Sequence, residues 1–188
     1  RYHCGKFPLS FWRSSKCVKE FKLRWLVREF DANLPKELDF KLESENADRV
    51  RANFRYDKHC TTPIIYKANK RVLVMEYIKG IPPNDVEALK AAGLDPVEVS
   101  NHINRIFNTQ IFEHRFVHCD PHSGNLLVRA QHADGVYPEI VLLDNGLYRE
   151  YDRSFSVLYA RLWMALIQRN ETQIARVSRE MGVGDYRL

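Results

Sequence analysis

Apolar positions along the chain switch between two periods, and the switch predicts a mixed α and β fold. Val18, Phe21, Trp25 and Phe30 repeat at helical spacing and stop before Pro35, and Ala47, Val50 and Phe54 continue a second stripe that opens near Asn46. Two short runs follow, Pro63 to Lys67 and Arg71 to Tyr77, which read as strands across the turn Ala68-Asn69-Lys70. Asn84 is placed to cap a short helix closed by Gly93, and Asp95-Pro96 opens a longer one carrying Val99, Ile103, Ile106, Phe107 and Ile111. Leu126-Leu127-Val128 and Ile140-Val141-Leu142-Leu143 are apolar strand segments, separated by the polar stretch Ala130 to Pro138, a surface hairpin or loop. Ser154 to Gln168 and Asn170 to Met181 read as closing helices, the second capped by Asn170 with Gln173 and stopped by Gly182. Residues 1–16 are aromatic and basic without a period and give no element, and no internal repeat is present.

The chemistry gathers where these periods break. His118-Cys119-Asp120-Pro121-His122-Ser123-Gly124-Asn125 places a loop Asp five positions before an Asn, and Asp144-Asn145-Gly146 places a second Asp at the end of an apolar strand. Transfer of a phosphoryl group needs this kind of set. A hard cation held by oxygen ligands offsets the phosphate charge, and a carboxylate orients or deprotonates the attacking group. Asn125 and Asp144 are the candidate magnesium ligands, and Asp120 is the candidate catalytic carboxylate. Pro121 fixes its own φ and Ser123-Gly124 permits a tight reversal before the next strand. Each half alone also has the composition of an ordinary turn or cap; both together, in this order and strand context, form a specific constellation. Zinc is a weaker reading of His118, Cys119, Asp120 and His122, because the cluster lacks a Cys-x-x-Cys pair or a distant His partner.

With these residues in view, the chain resembles the UbiB, or aarF-domain, atypical kinases, and most of all their mitochondrial branch. In that family a His-x-Asp-Pro-His-Pro-Gly-Asn loop and an Asp-x-Gly element stand for the catalytic and metal loops of protein kinases. Ser123 occupies the usual Pro position, and Asn145 the middle of the second element. A second similarity runs from Leu34 through Ala47 to Asn53-Phe54. It implies that Glu37 and Asp39 belong to the family's Glu-x-Asp motif facing its N-terminal extension. It also implies that Glu43 is the helix Glu that pairs with an ATP-contacting strand Lys. Nothing in the chain matches the family's Lys-x-Gly-Gln helix, its Ala-rich nucleotide loop or that Lys; Lys16, Lys19 and Lys22 lie in a helical pattern. The resemblance therefore implies N-terminal truncation and, for this chain alone, poor turnover.

By the same resemblance Val72 to Ile78 is a kinase hinge, with Met75 at the gatekeeper position and backbone groups of Glu76 and Ile78 meeting the adenine. Taken alone it is an ordinary apolar strand. The implied architecture is α+β and protein-kinase-like, with two lobes: residues 17–78 an incomplete small lobe and hinge, residues 79–188 a mainly helical large lobe. The implied cofactors are ATP and magnesium. The implied setting is mitochondrial, in ubiquinone or isoprenoid-lipid homeostasis, with a membrane surface or an isoprenoid lipid among the partners. A non-catalytic nucleotide-binding scaffold and a small-molecule phosphotransferase of the aminoglycoside-kinase type stay open; the Glu37-x-Asp39 element argues against the second.

Composition narrows the partners a little further. The chain has 188 residues and 45% hydrophobic content, enough to bury a core. Its formal charge is +5, but 29 basic residues are interspersed with 24 acidic ones and form no long run. This disfavours nucleic acid and is compatible with a nucleotide or an anionic membrane. Cys4, Cys17, Cys60 and Cys119 are dispersed, as in a reducing compartment. Asn170-Glu171-Thr172 matches a glycosylation sequon but reads better as a helix cap.

Overall fold

The computed structural model describes residues 39–133 and 135–183. The stripe Val18 to Phe30, the lysines 16, 19 and 22, Glu37, Cys4 and Cys17 lie outside the described residues.

Helix α1 spans Phe40–Asn53 and begins where Asp39 accepts the Lys41 amide at 3.1 Å. Asp39 thus has a local task as a helix cap. Ala47 and Val50 form the buried face of α1, and Phe54 follows them into the core. The helix is also fastened by its polar side. Arg51 donates to the carbonyls of Thr62, at 3.1 Å, and Pro63, and Arg49 pairs with Glu150 while lying 4.1 Å over the Phe116 ring.

Strand β1, Cys60–Thr61, runs parallel to β6, Tyr137–Leu142, which pairs antiparallel with β5, Leu126–Gln131. The sheet order is therefore β1-β6-β5. Val128, Ile140, Val141 and Leu142 are fully buried in it, together with Leu89, Ile106 and Val50 from the surrounding helices. The stretch Ala130 to Pro138 is the hairpin end of the β5–β6 ladder, in which Ala130 pairs with Pro138 and Gln131 with Tyr137.

A separate hairpin joins β2, Ile65–Ala68, to β3, Leu73–Met75. Both strands are shorter than their apolar pattern predicts. Pro63 has no amide to donate, and after Glu76 the chain leaves the ladder to bury Ile78. Gly80 then crosses against β5. A Cβ there would sit 2.8 Å from Leu127 Cβ, so only glycine permits this approach, which the Ile81–Val128 bridge closes.

Helix α2, Val86–Ala91, is capped by Asp85, which accepts the Ala88 amide at 3.0 Å; Asn84 does not cap it. The turn from Pro82 to Asp85 sets that register, and a carboxylate suits the positive end of a helix. Helix α3, Pro96–Thr109, is capped by Asp95 and buries Val99 and Ile106. It continues into a π-helical turn, Gln110–His114, which apolar spacing does not predict. The wider turn brings Gln110 inside, where its Oε1 accepts the His118 amide at 3.0 Å, and Arg115 ends it at φ 55°. Strands β4, Phe116–His118, and β7, Tyr148–Glu150, pair antiparallel, with His118 opposite Tyr148. Helices α4, Arg153–Ile167, and α5, Glu171–Glu180, pack together at the end; Asn170 caps α5 by accepting the Gln173 amide at 3.1 Å. Among the described residues no helix is long and apolar enough to cross a membrane.

Candidate functional site

Two strand pairs carry the two halves of the motif. The loop from Cys119 to Asn125 leaves β4 and enters β5, and the loop from Leu143 to Leu147 leaves β6 and enters β7. Because β4 pairs with β7 and β5 with β6, the loops must lie side by side. Backbone hydrogen bonds join them at both ends: Leu143 donates to the Asn125 carbonyl at 2.9 Å, and Cys119 to the Leu147 carbonyl at 3.0 Å.

Within the first loop, buried His118 accepts the Asp120 amide on Nδ1 at 3.0 Å. Burial pushes the His118 imidazole below its ordinary pKa, against the opposing pull of the Asp144 and Asp120 charges. Burial thus favours its neutral form while it anchors the loop. Asp120 itself is exposed, and its carbonyl accepts the His122 amide at 3.0 Å and the Asn125 side-chain amide at 3.1 Å. That second bond consumes Asn125 Nδ2 and leaves Oδ1 as the atom free for a cation. His122 accepts the Gly124 amide on Nδ1 at 3.0 Å, so in the neutral ring Nε2 bears the hydrogen. Nε2 lies 3.6 Å from Asp120 Oδ2.

In the second loop, exposed Asp144 accepts the Gly146 amide on Oδ1 at 2.8 Å. Glu43 of α1 stands beside it. Burial and the Asp144 charge raise the Glu43 carboxyl above its ordinary pKa, partly offset by the Asn145 amide, 3.5 Å from Oε1. Among the described residues Glu43 forms no ion pair.

The donor set fits magnesium. Asn125 Oδ1 and the Asp144 carboxylate are hard oxygen ligands, and this ion completes its shell with water and phosphate oxygens. Among the described residues no group of three or more His, Cys, Asp or Glu is arranged to hold a metal ion, so a cation here would rest on Asn125, Asp144 and oxygens from water or phosphate. At the candidate hinge, Glu76 spends its amide on the Ile64 carbonyl at 2.8 Å, and its carboxylate accepts the Ile64 amide at 3.2 Å. Only its carbonyl remains for an adenine edge. Ile78 is buried, whereas Met75 is 39% exposed and so lines a surface at this position of the chain.

The structure sets Glu43 beside Asp144, and Asp120 and Asn125 on the adjoining loop, while Glu76 and Ile78, the candidate hinge residues, lie at the strand end leading away from the hairpin. The sequence pattern marks no role there for Asn46, Thr62 or Tyr148, and marks Asn145 only as the middle of the Asp-x-Gly element. All four meet in one hydrogen-bonded cluster. Their partners lie up to 99 positions apart, so no local pattern could mark them.

Comparison with known proteins places the chain in a family. Residues 9–178 match the model of the ABC1 atypical kinase-like domain. AarF domain-containing protein kinase 1 of Xenopus laevis is 41% identical over 172 residues, covering 90% of this chain and 33% of its own length. AarF domain-containing kinase 1 of Drosophila melanogaster is 37% identical over 171 residues, with 90% and 33% covered. The ABC1 family protein MCP2 homolog of Schizosaccharomyces pombe is 36% identical over 160 residues, with 82% and 29% covered. The chain thus spans about a third of the length of the curated relatives it matches. A Mycobacterium tuberculosis protein solved in complex with erythromycin, Rv3197, superposes with a TM-score of 0.61 at 15% identity, over 87% of this chain and 41% of that one, which is a likeness of fold. With a family model matching most of its length, relatives at 36–41% identity and a kinase-like α+β fold, the chain belongs to the ABC1 atypical kinase-like family.

Proposed function

We propose that this chain binds ATP with magnesium and is the phosphotransferase or ATPase part of a protein serving ubiquinone or isoprenoid-lipid homeostasis in mitochondria. The observation that carries the reading is the backbone bond from Leu143 to Asn125, which sets both candidate ligands on adjoining loop ends. When bound, the cation offsets the charge on the phosphates. Asn125 presents its amide oxygen because Nδ2 is held by the Asp120 carbonyl. Asp144 presents a carboxylate anchored through one oxygen by Gly146. Asp120, exposed and held by His118 at its amide, orients the attacking hydroxyl or water and takes its proton. The Glu76 carbonyl and the Ile78 backbone are the groups for the adenine edge.

A nucleotide-binding scaffold without turnover is the second reading. It is favoured by Glu43, which turns to the Asn145 amide beside Asp144. Calorimetric titration of the chain with ATP, with and without magnesium, tests the shared part, and phosphate release separates the two. Binding that ignores magnesium would overturn the first reading, and absence of ATP binding would overturn both.

A further inference from the structure

Asn145 is only 1% exposed, between two site-forming neighbours. Its Nδ2 donates to Thr62 Oγ1 at 2.9 Å and to the Leu142 carbonyl at 3.5 Å, and its Oδ1 accepts the Tyr148 hydroxyl at 3.1 Å. Its backbone carbonyl accepts Asn46 Nδ2 at 2.8 Å, and its amide faces Glu43 Oε1 at 3.5 Å. Thr62, equally buried, is held in turn by Arg51 of the same helix through its carbonyl at 3.1 Å. One residue thereby joins α1, the segment after β1, and β7.

Packing alone does not require this arrangement. An apolar side chain could occupy the space, whereas an amide enclosed among polar partners is tolerated only when its directional bonds are made. The set is therefore close to all-or-none. The Asp144 side chain is anchored by the Gly146 amide and its backbone is steadied by the Leu143–Asn125 bond, neither of which reaches α1, so its placement relative to α1 runs through Asn145.

We propose that Asn145 is a positioning residue, a polar latch that holds α1 and its Glu43 against the Asp144 loop in one arrangement. The consequence for metal affinity rests on the magnesium-nucleotide reading above; the latch itself does not.

The test uses the 188-residue chain and Thr62→Val, which removes the Oγ1 acceptor at nearly constant shape, with Tyr148→Phe as a second mild variant and Asn145→Ala as the severe one. Amide hydrogen exchange is followed without nucleotide in peptides covering 40–53, 143–148 and, as a control, 96–109. In parallel, ATP binding is measured against magnesium concentration. Loss of one bond in a buried network should speed exchange of the first two segments together by roughly tenfold and weaken magnesium-dependent ATP binding about as much, leaving the control segment and magnesium-free binding unchanged. Faster exchange confined to the neighbourhood of residue 62 would overturn the latch. Coordinated loosening with unchanged magnesium dependence would overturn its role as a positioning residue. If the unmodified chain binds no magnesium-ATP, the functional reading fails by itself, and the exchange experiment alone decides the latch.

Discussion

Leu143 donates its amide to the carbonyl of Asn125 at 2.9 Å, so the residue preceding one candidate metal ligand hangs from the backbone of the other. Backbone-to-backbone coupling of this kind survives side-chain substitution, which makes the ligands themselves testable.

Asp144→Asn is the first case. The substituted amide keeps an oxygen for the Gly146 N–H, so the loop is expected to stay in place while the ligand charge is lost. Magnesium-dependent ATP affinity should fall by about a hundredfold, as for loss of an anionic ligand on a hard cation. Calorimetry at several magnesium concentrations decides; unchanged affinity would remove Asp144 from the site.

Asp120→Ala should behave differently. Asp120 is exposed and its structural bonds are made by its backbone, to His118, His122 and Asn125. In a full-length protein, turnover should drop by roughly a hundredfold or more with ATP binding nearly intact, the pattern of a group acting mainly in the transition state. A parallel loss of binding would make Asp120 a metal or structural residue.

Acid should destabilise the fold through its enclosed histidines. Burial lowers the pKa of His102, of His114 and of His118, and His114 also packs edge-on against Phe54 at 4.8 Å. A depressed folded-state pKa means that the unfolded chain takes up protons first. The stabilisation is thus fully present above the ordinary histidine pKa and is lost as pH falls below it toward the folded value. His114→Leu should flatten that acid limb in denaturant melts run across pH. An acid limb as steep as that of the unmodified chain would rule out His114 as a contributor.

How much of this was legible beforehand depends on how far apart the partners lie. The order Asp120, Asn125, Asp144 is local to two loops and is visible in the residues, as are the caps at Asp95 and Asn170, where donor and acceptor are neighbours. The π-helical turn at Gln110 was not visible, because its cause is a bond to His118 that apolar periodicity does not encode. Asn145 looked like a substitution in a motif, and only Thr62, 83 positions earlier, shows why an amide is there. At the candidate hinge, the apolar pattern continues to Ile78 although pairing ends with the Glu76–Ile64 bond. Ile78 serves the core instead of the ladder, and burial of that kind follows from tertiary contacts alone.

The last expected outcome concerns Gly124, whose role is room for a ring. A Cβ at this position would lie 2.9 Å from His122 Cε1 and 3.0 Å from Nδ1, closer than side chains pack, and the Gly124 amide is the donor that fixes the His122 tautomer. Gly124→Ala should therefore push the imidazole aside and separate Nε2 from Asp120 Oδ2, now 3.6 Å apart. Because both side chains are exposed, the fold should hold and melting should change little, within about 1 kcal/mol. Turnover should fall by roughly tenfold, the effect of a misplaced catalytic group, and His122→Ala should cost about the same. If His122 acts only by orienting Asp120, the double variant should be no worse than either single one. Imidazole nitrogen NMR gives a readout independent of turnover: the unmodified chain should show the tautomer with hydrogen on Nε2, and Gly124→Ala a mixture. Additive losses in the double variant, or an unaltered tautomer in Gly124→Ala, would separate His122 from Asp120 and leave Gly124 as a turn residue only.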